Sequence, residues 1–279
     1  MERTEQVTAR PAHGVGRRRA VAALASLPLA AAAAPAAFAR PAGSAPAGTL
    51  YIAGDSTAAQ KYADASPETG WGMALPFFLH DRRLKVANHA MNGRSSKSFV
   101  DEGRLAVILE AIGPGDLLLV QFAHNDEKSA DPTRYTEPWS TYQDYLMRYV
   151  DGARSRGARP VLATAVERRK FDAGGTALPT HGEYPAAMRA LAATEGVPLL
   201  DVQAQSFALW QKLGVEETKA YFNWTATEQD NTHFNPPGAI AVARLVAAEL
   251  LRRRVLAPRD VRRLGDAIPE SWITWPEGP

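Results

Sequence analysis

A serine, a histidine and an aspartate in short polar blocks could together do acyl-transfer chemistry. The stretch YIAGDSTAAQ, residues 51–60, begins apolar and turns abruptly into Gly54, Asp55, Ser56 and Thr57; far downstream, DNTHF at 230–234 sets Asp230 three residues before His233. Acyl transfer needs a hydroxyl nucleophile, a base to take its proton, and a carboxylate to orient and stabilise that base. Ser56 Oγ can attack, His233 can serve as general base and then acid, and Asp230 can hold the imidazole. Oxyanion donors would be the backbone N–H groups of Ser56 and Gly93 with the side-chain amide of Asn125. Loss of one such donor typically costs about 10²–10³ in rate.

Each residue also has a plainer reading. Ser56 could cap a following helix, Gly93 could permit a tight turn, and a lone Asp or His could be a satisfied polar residue. A divalent ion shared by Asp230, His233 and Asp126 is a further alternative. Asp55 reads as structural, binding loop amides and fixing the serine. His124, beside Asn125, reads as a packing or turn residue. Trp71, between two glycines, is a candidate sugar platform or a core residue. ERRKF at 167–171 offers Arg168, ahead of Arg169, as a fork for the carboxylate of an acidic sugar, with a solvated charge run as the bland reading. His80, His89 and His181 show no ligand spacing, and no metal or other cofactor is expected.

The elements that must position these residues alternate short apolar runs with helical stretches, the pattern of a parallel sheet covered by helices on both faces. Strands are expected at 49–54, 84–88, 116–122, 159–165 and 197–201. Helices are expected at 72–80, 98–111, 140–156, 183–195 and 235–254, the last opened by Asn235 with Pro236 and Pro237 in its first turn. In such sheets ligands bind beyond the carboxyl ends of the strands, and the polar blocks fall there. Asp230 and His233 belong to a polar loop before the last helix.

The chain has 279 residues, enough for one substantial core. Residues 1–39 have a polar start, Arg17-Arg18-Arg19, and an apolar run closed by Ala37-Phe38-Ala39, the three parts of an export signal cleaved after Ala39. The consecutive arginines open the twin-arginine route, so a secreted or periplasmic location is expected. That segment carries five basic and two acidic residues, so the 32 and 30 of the whole chain become 27 and 28, a formal charge of −1. No polycation remains to argue for nucleic acid. The cluster Arg252, Arg253, Arg254, Arg259, Arg262 and Arg263 suits the carbonyl end of a helix. The absence of cysteine excludes disulfides, a thiolate nucleophile and a cysteine metal site. Residues 40–48 read as a linker, 49–254 as the catalytic domain and 255–279 as an irregular tail packed on the body.

The blocks GDST with Ser56, GWG at 70–72, NGRSSKSF at 92–99, HND at 124–126 and DNTHF at 230–234 resemble the SGNH, or GDSL-like, hydrolases, and among them the rhamnogalacturonan acetylesterase group, over residues 49–253. The resemblance implies a three-layer α/β/α sandwich with a five-stranded parallel sheet, the flavodoxin-like arrangement. It also implies Ser56, Gly93, Asn125, Asp230 and His233 in the roles above, without a metal. One departure is Ala123, where the group often has Gly, which puts the loop near Asn125 in question. The implied activity is a secreted carbohydrate O-acetylesterase acting on acetylated pectin of the rhamnogalacturonan type. Another SGNH esterase, acting on xylan acetate, lipid or thioester, and a non-catalytic sugar-binding relative are the alternatives. The expected partner is an acetylated polysaccharide or oligosaccharide, with no membrane association after signal cleavage and a monomeric protein.

Overall fold

The computed structural model describes residues 48–278. The segment expected to be an export signal, and all of the expected linker except Gly48, lie outside the described residues. In chain order the elements are β1 (Thr49–Gly54), α1 (Trp71–Ala74), β2 (Lys85–Asn88), α2 (Ser96–Asp101), α3 (Arg104–Ala111), β3 (Leu117–Gln121), α4 (Thr141–Ser155), β4 (Arg159–Ala163), α5 (Tyr184–Glu195), β5 (Leu199–Leu200), α6 (Val202–Glu217), β6 (Phe222–Trp224), β7 (Gln229–Phe234) and α7 (Pro236–Arg252). The first five strands form one parallel sheet in the order β2-β1-β3-β4-β5.

Successive strand residues point to opposite faces, so a strand buried on both sides feeds two cores. Leu50, Ile52, Leu117, Leu119 and Val161 pack on one face with α1 and α7. Tyr51, Ala53, Leu118, Val120 and Leu162 pack on the other with side chains of α3, α4 and α5. The result is the three-layer α/β/α sandwich anticipated above.

Besides adding the unexpected helix α6 and strand β6, the structure departs from the sequence expectations at four places. The helix expected over 72–80 is the single turn α1 followed by a 3₁₀ turn over Leu75–Phe78, since Pro76 has no N–H to continue an α-helical ladder. The helix expected over 98–111 is two, broken where Gly103 adopts a left-handed φ of 74°. Asp201, expected to end a strand, instead caps α6, its side chain accepting from the Ala204 amide. Finally, residues 229–234 are not a loop but β7, paired antiparallel with β6 as a separate two-stranded ribbon.

Beyond α7 the chain runs back over the body. Leu79 and Val261 bridge, Ile273 is buried, Trp275 Nε1 donates to the Glu68 carbonyl at 2.8 Å, and the Ala63 amide donates to the Pro276 carbonyl at 2.9 Å. Arg252 and Arg253 both reach the buried Glu249, while Arg263 lies over the Trp272 ring. Among the described residues no helix is long and apolar enough to cross a membrane.

Candidate active site

The sheet order places a switch point between β1 and β3, where the chain leaves in opposite directions and a crevice opens at the carboxyl edge. Ser56 lies two residues past β1, and Asn125 lies four past β3. No helix follows Ser56 directly. The amides of Ala58 and Ala59 turn back onto the Asp55 carbonyl at 3.2 and 3.1 Å, a 3₁₀ turn follows over Ala63–Ala65, and the first α-helix, α1, starts only at Trp71. Ser56 is therefore not the N-cap of a helix.

The β6–β7 ribbon brings the other two groups to it. His233 Nε2 is 2.9 Å from Ser56 Oγ, and His233 Nδ1 is 2.6 Å from Asp230 Oδ2. The second Asp230 oxygen accepts the amides of Thr232 and His233 at 2.6 and 3.0 Å, which fixes the carboxylate inside its own strand. Burial works to raise the Asp230 pKa, but the His233 ring and these two amides outweigh it and bring it down to about 2. The aspartate is thus ionised at neutral pH. Arg169 secures the ribbon from outside: its amide donates to the Asn231 carbonyl at 2.8 Å and its Nη1 to Asn231 Oδ1 at 3.0 Å.

Behind Ser56 runs a continuous buried chain of hydrogen bonds. Trp71 Nε1 donates to Gln121 Oε1 at 2.9 Å, Gln121 Nε2 to Thr57 Oγ1 at 3.0 Å, and the Thr57 hydroxyl and amide to Asp55 Oδ1 at 2.7 and 3.0 Å. Asp55 Oδ2 then meets His124 Nδ1 at 3.1 Å. Desolvation alone would raise Asp55, but His124 and Thr57 hold it at about 2. Burial pushes His124 down to about 4, and its Nε2 is enclosed without a hydrogen-bond partner. Asp55 and His124 thus brace the nucleophile's turn.

The oxyanion candidates flank the same edge. Gly93 has a left-handed φ of 73°, a conformation that favours glycine. Asn125 is buried and its Nδ2 donates one hydrogen to the Arg94 carbonyl at 3.0 Å, which ties the two candidate loops together. The Ser56 and Gly93 amides donate to no other backbone group among the described residues. Ala123, the departure noted in the sequence, is buried and takes no left-handed conformation, so its methyl costs the loop nothing there.

Two sequence candidates are corrected. Trp71 has no exposed surface and its indole N–H is engaged by Gln121, so it cannot stack on a sugar; it belongs to the core. Arg168 does reach the carboxyl edge, but its guanidinium is ion-paired with Glu127 and also meets the carbonyls of Thr180 and His124, each at 3.4 Å. It is not a free fork. The shared ion site of Asp230, His233 and Asp126 is not assembled among the described residues: Asp126 is buried, accepting from Ser96 and Thr136 instead.

Sequence reasoning missed Lys61, whose ammonium is buried beside the Gly93 loop, and Arg134, which overhangs it. Neither lies in a periodic element, so no spacing marked them.

Residues 52–239 match the model of the GDSL-like Lipase/Acylhydrolase family. The rhamnogalacturonan acetylesterase RhgT of Bacillus subtilis (strain 168) is 44% identical over 207 residues, 71% of this chain and 87% of that protein. The probable rhamnogalacturonan acetylesterase YesY of the same organism is 44% identical over 224 residues, 80% of this chain and 97% of that protein. Among solved structures, the protein YxiM of Bacillus subtilis superposes with a TM-score of 0.67 at 30% identity, over 75% of this chain and 57% of that longer one.

Proposed function

Because this chain belongs to the GDSL-like lipase/acylhydrolase family and is a serine esterase, we propose that it removes O-acetyl groups from carbohydrate, with acetylated rhamnogalacturonan as its substrate. The observation that carries the chemistry is the hydrogen-bonded line Ser56 Oγ, His233 Nε2, His233 Nδ1, Asp230 Oδ2, with its 2.9 and 2.6 Å links. The 44% identity to RhgT and YesY carries the substrate.

In this reading His233 Nε2 takes the proton of Ser56 Oγ as the oxygen attacks the acetyl carbonyl. The new oxyanion settles between the amides of Ser56 and Gly93 and the free hydrogen of the Asn125 side-chain amide. The resulting imidazolium is steadied by the ionised Asp230 and passes its proton to the departing sugar hydroxyl. Water, deprotonated by the same imidazole, then frees acetate from Ser56. The protein is exported, with residues 1–39 removed, and N-terminal sequencing of the secreted form checks cleavage after Ala39.

The deciding measurement is acetate release from acetylated rhamnogalacturonan, acetylated xylan and a short aryl acetate side by side. A kcat/KM highest on rhamnogalacturonan supports the substrate; comparable values on both polysaccharides leave only a general acetylesterase.

A further inference from the structure

An open groove of about 650 Å³ adjoins Gly93, and five of its nine lining residues are charged. Arg94, Lys97 and Arg134 bring three cations; Asp101 and Glu102 bring two carboxylates. Both carboxylates are engaged. Glu102 receives Arg94 Nε at 3.0 Å and Arg104 Nε at 2.7 Å, and Asp101 receives the Tyr145 hydroxyl at 3.2 Å. The cations are not equally engaged. Arg94 is consumed by Glu102 and the Asn92 carbonyl, whereas the Lys97 ammonium meets only the Pro132 carbonyl, at 2.6 Å.

Arg134 keeps the most unused N–H donors of the three, although it is ion-paired with Asp131. Its Nε is fixed by Asp131 Oδ2 at 2.5 Å, which sets the plane of the guanidinium, while its two Nη groups hydrogen-bond to no described residue. Nη1 lies 3.8 Å from the point where a side-chain carbon on Gly93 would stand. Two parallel N–H donors therefore face the groove, held by an anchored stem, next to the residue whose amide would receive the oxyanion.

We infer that this groove is the subsite for an acidic sugar, and that the Nη pair of Arg134 binds a uronate carboxylate next to the acetylated residue. A carboxylate fits two parallel N–H donors with both oxygens, and a lysine ammonium does not reproduce that fit. Lys97 adds unneutralised positive charge to the same wall. The inference rests on the reading of the protein as a rhamnogalacturonan deacetylase and deepens it: galacturonate carboxylates recur beside the acetyl groups of that polymer. It also moves the carboxylate contact from Arg168, which Glu127 already holds, to Arg134 beside Gly93.

The test compares wild type, Arg134→Ala and Arg134→Lys on three substrates: an acetylated rhamnogalacturonan oligosaccharide, the same oligosaccharide with its carboxyl groups methyl-esterified, and an aryl acetate. In the Ala variant the ratio of kcat/KM on the acidic oligosaccharide to that on the aryl acetate should fall about 5- to 30-fold, mainly through KM, with Lys restoring only part. Methyl-esterification should erase the difference between wild type and variant. A proportional loss on the aryl acetate would mean that Arg134 acts on the oxyanion, and would overturn the subsite. An undiminished ratio in a wild type active on rhamnogalacturonan would overturn it alone. A wild type that cleaves aryl acetate but neither oligosaccharide would instead remove the substrate reading on which the subsite rests.

Discussion

Lys61 Nζ donates to Asn92 Oδ1 at 2.7 Å from a side chain only 1% exposed, and the same ammonium is ion-paired with Glu68. Since Asn92 precedes Gly93, a buried charge on the loop that leaves Ser56 holds the loop that carries the proposed second oxyanion amide. Replacing Lys61 with Met keeps the length and removes the bond. Partner removal from a buried pair costs about 3–5 kcal/mol, less here because Glu68 retains access to water. We expect about 1–3 kcal/mol of lost stability in denaturant unfolding and at least a tenfold loss of kcat with little change in KM. An unaltered kcat in the folded variant would show that Asn92 needs no such brace.

Ser56→Ala and His233→Ala should each lower kcat by about 10³-fold or more, and the double variant should be little worse than either, because the groups act as a unit. Asp230→Asn should be milder. A Ser56→Ala protein that kept a tenth of its rate, a loss of only about 1.4 kcal/mol, would exclude the serine as nucleophile. The wild-type kcat/KM should fall toward acid, because only a neutral imidazole can accept the serine's proton.

His124 gives a separate pH signature, in stability. Its folded pKa of about 4 is depressed by burial, countered by Asp55 and aided by the charges of His181 and Arg168, and the enclosed Nε2 has nothing to offer a second proton. A depressed histidine favours the folded state above its ordinary value of about 6.5 and loses that advantage as pH falls toward 4, where the unfolded chain binds the extra proton more readily. The full effect is on the order of 3 kcal/mol. Asp126, pushed up to about 7 by burial, changes stability with the opposite sign, but does so in wild type and variant alike. The stability gap between wild type and His124→Asn should therefore narrow between pH 7 and pH 4. A gap independent of pH would mean that His124 keeps its ordinary titration.

Trp71→Phe removes the donor to Gln121 and leaves a gap in a closed core, which should cost about 1–3 kcal/mol. Activity on aryl acetate and on polysaccharide should change in proportion. A loss confined to polysaccharide would restore the sugar-platform reading.

The strands were legible because a sheet covered on both faces needs nearly continuous apolar runs, and Leu117–Gln121 has no exposed residue to blur the signal. The ribbon was not. QDNTHF contains one fully buried side chain, Phe234, and pairs with a three-residue strand, so neither period nor length marks it. Ser56, Asp230 and His233 could be chosen by chemistry and order alone, and the geometry brings them together. The place of Arg168 after a strand points it to the sheet edge but says nothing of Glu127, which pairs with it there. Arg134 sits in the polar stretch 126–140, where sequence offers no period that would direct a side chain toward Gly93.

The clasp of Trp275 on Glu68 and of Pro276 on Ala63 has a temporal meaning. Residues 61–69 leave the turn that carries Ser56 early in synthesis, and Lys61 meets Asn92 only 31 residues on, but the partners of Ala63 and Glu68 at residues 275 and 276 are made more than 200 residues later. Loop closure over such a separation follows the nearer contacts of the sheet. A nascent chain can thus carry a formed β1 and a positioned Ser56 while residues 63–68 still lack these two bonds. On the proposed mechanism hydrolysis needs Asp230 and His233, so a chain made only as far as β6 stays inert, and the clasp at residues 275 and 276 then completes the seat of residues 63–68.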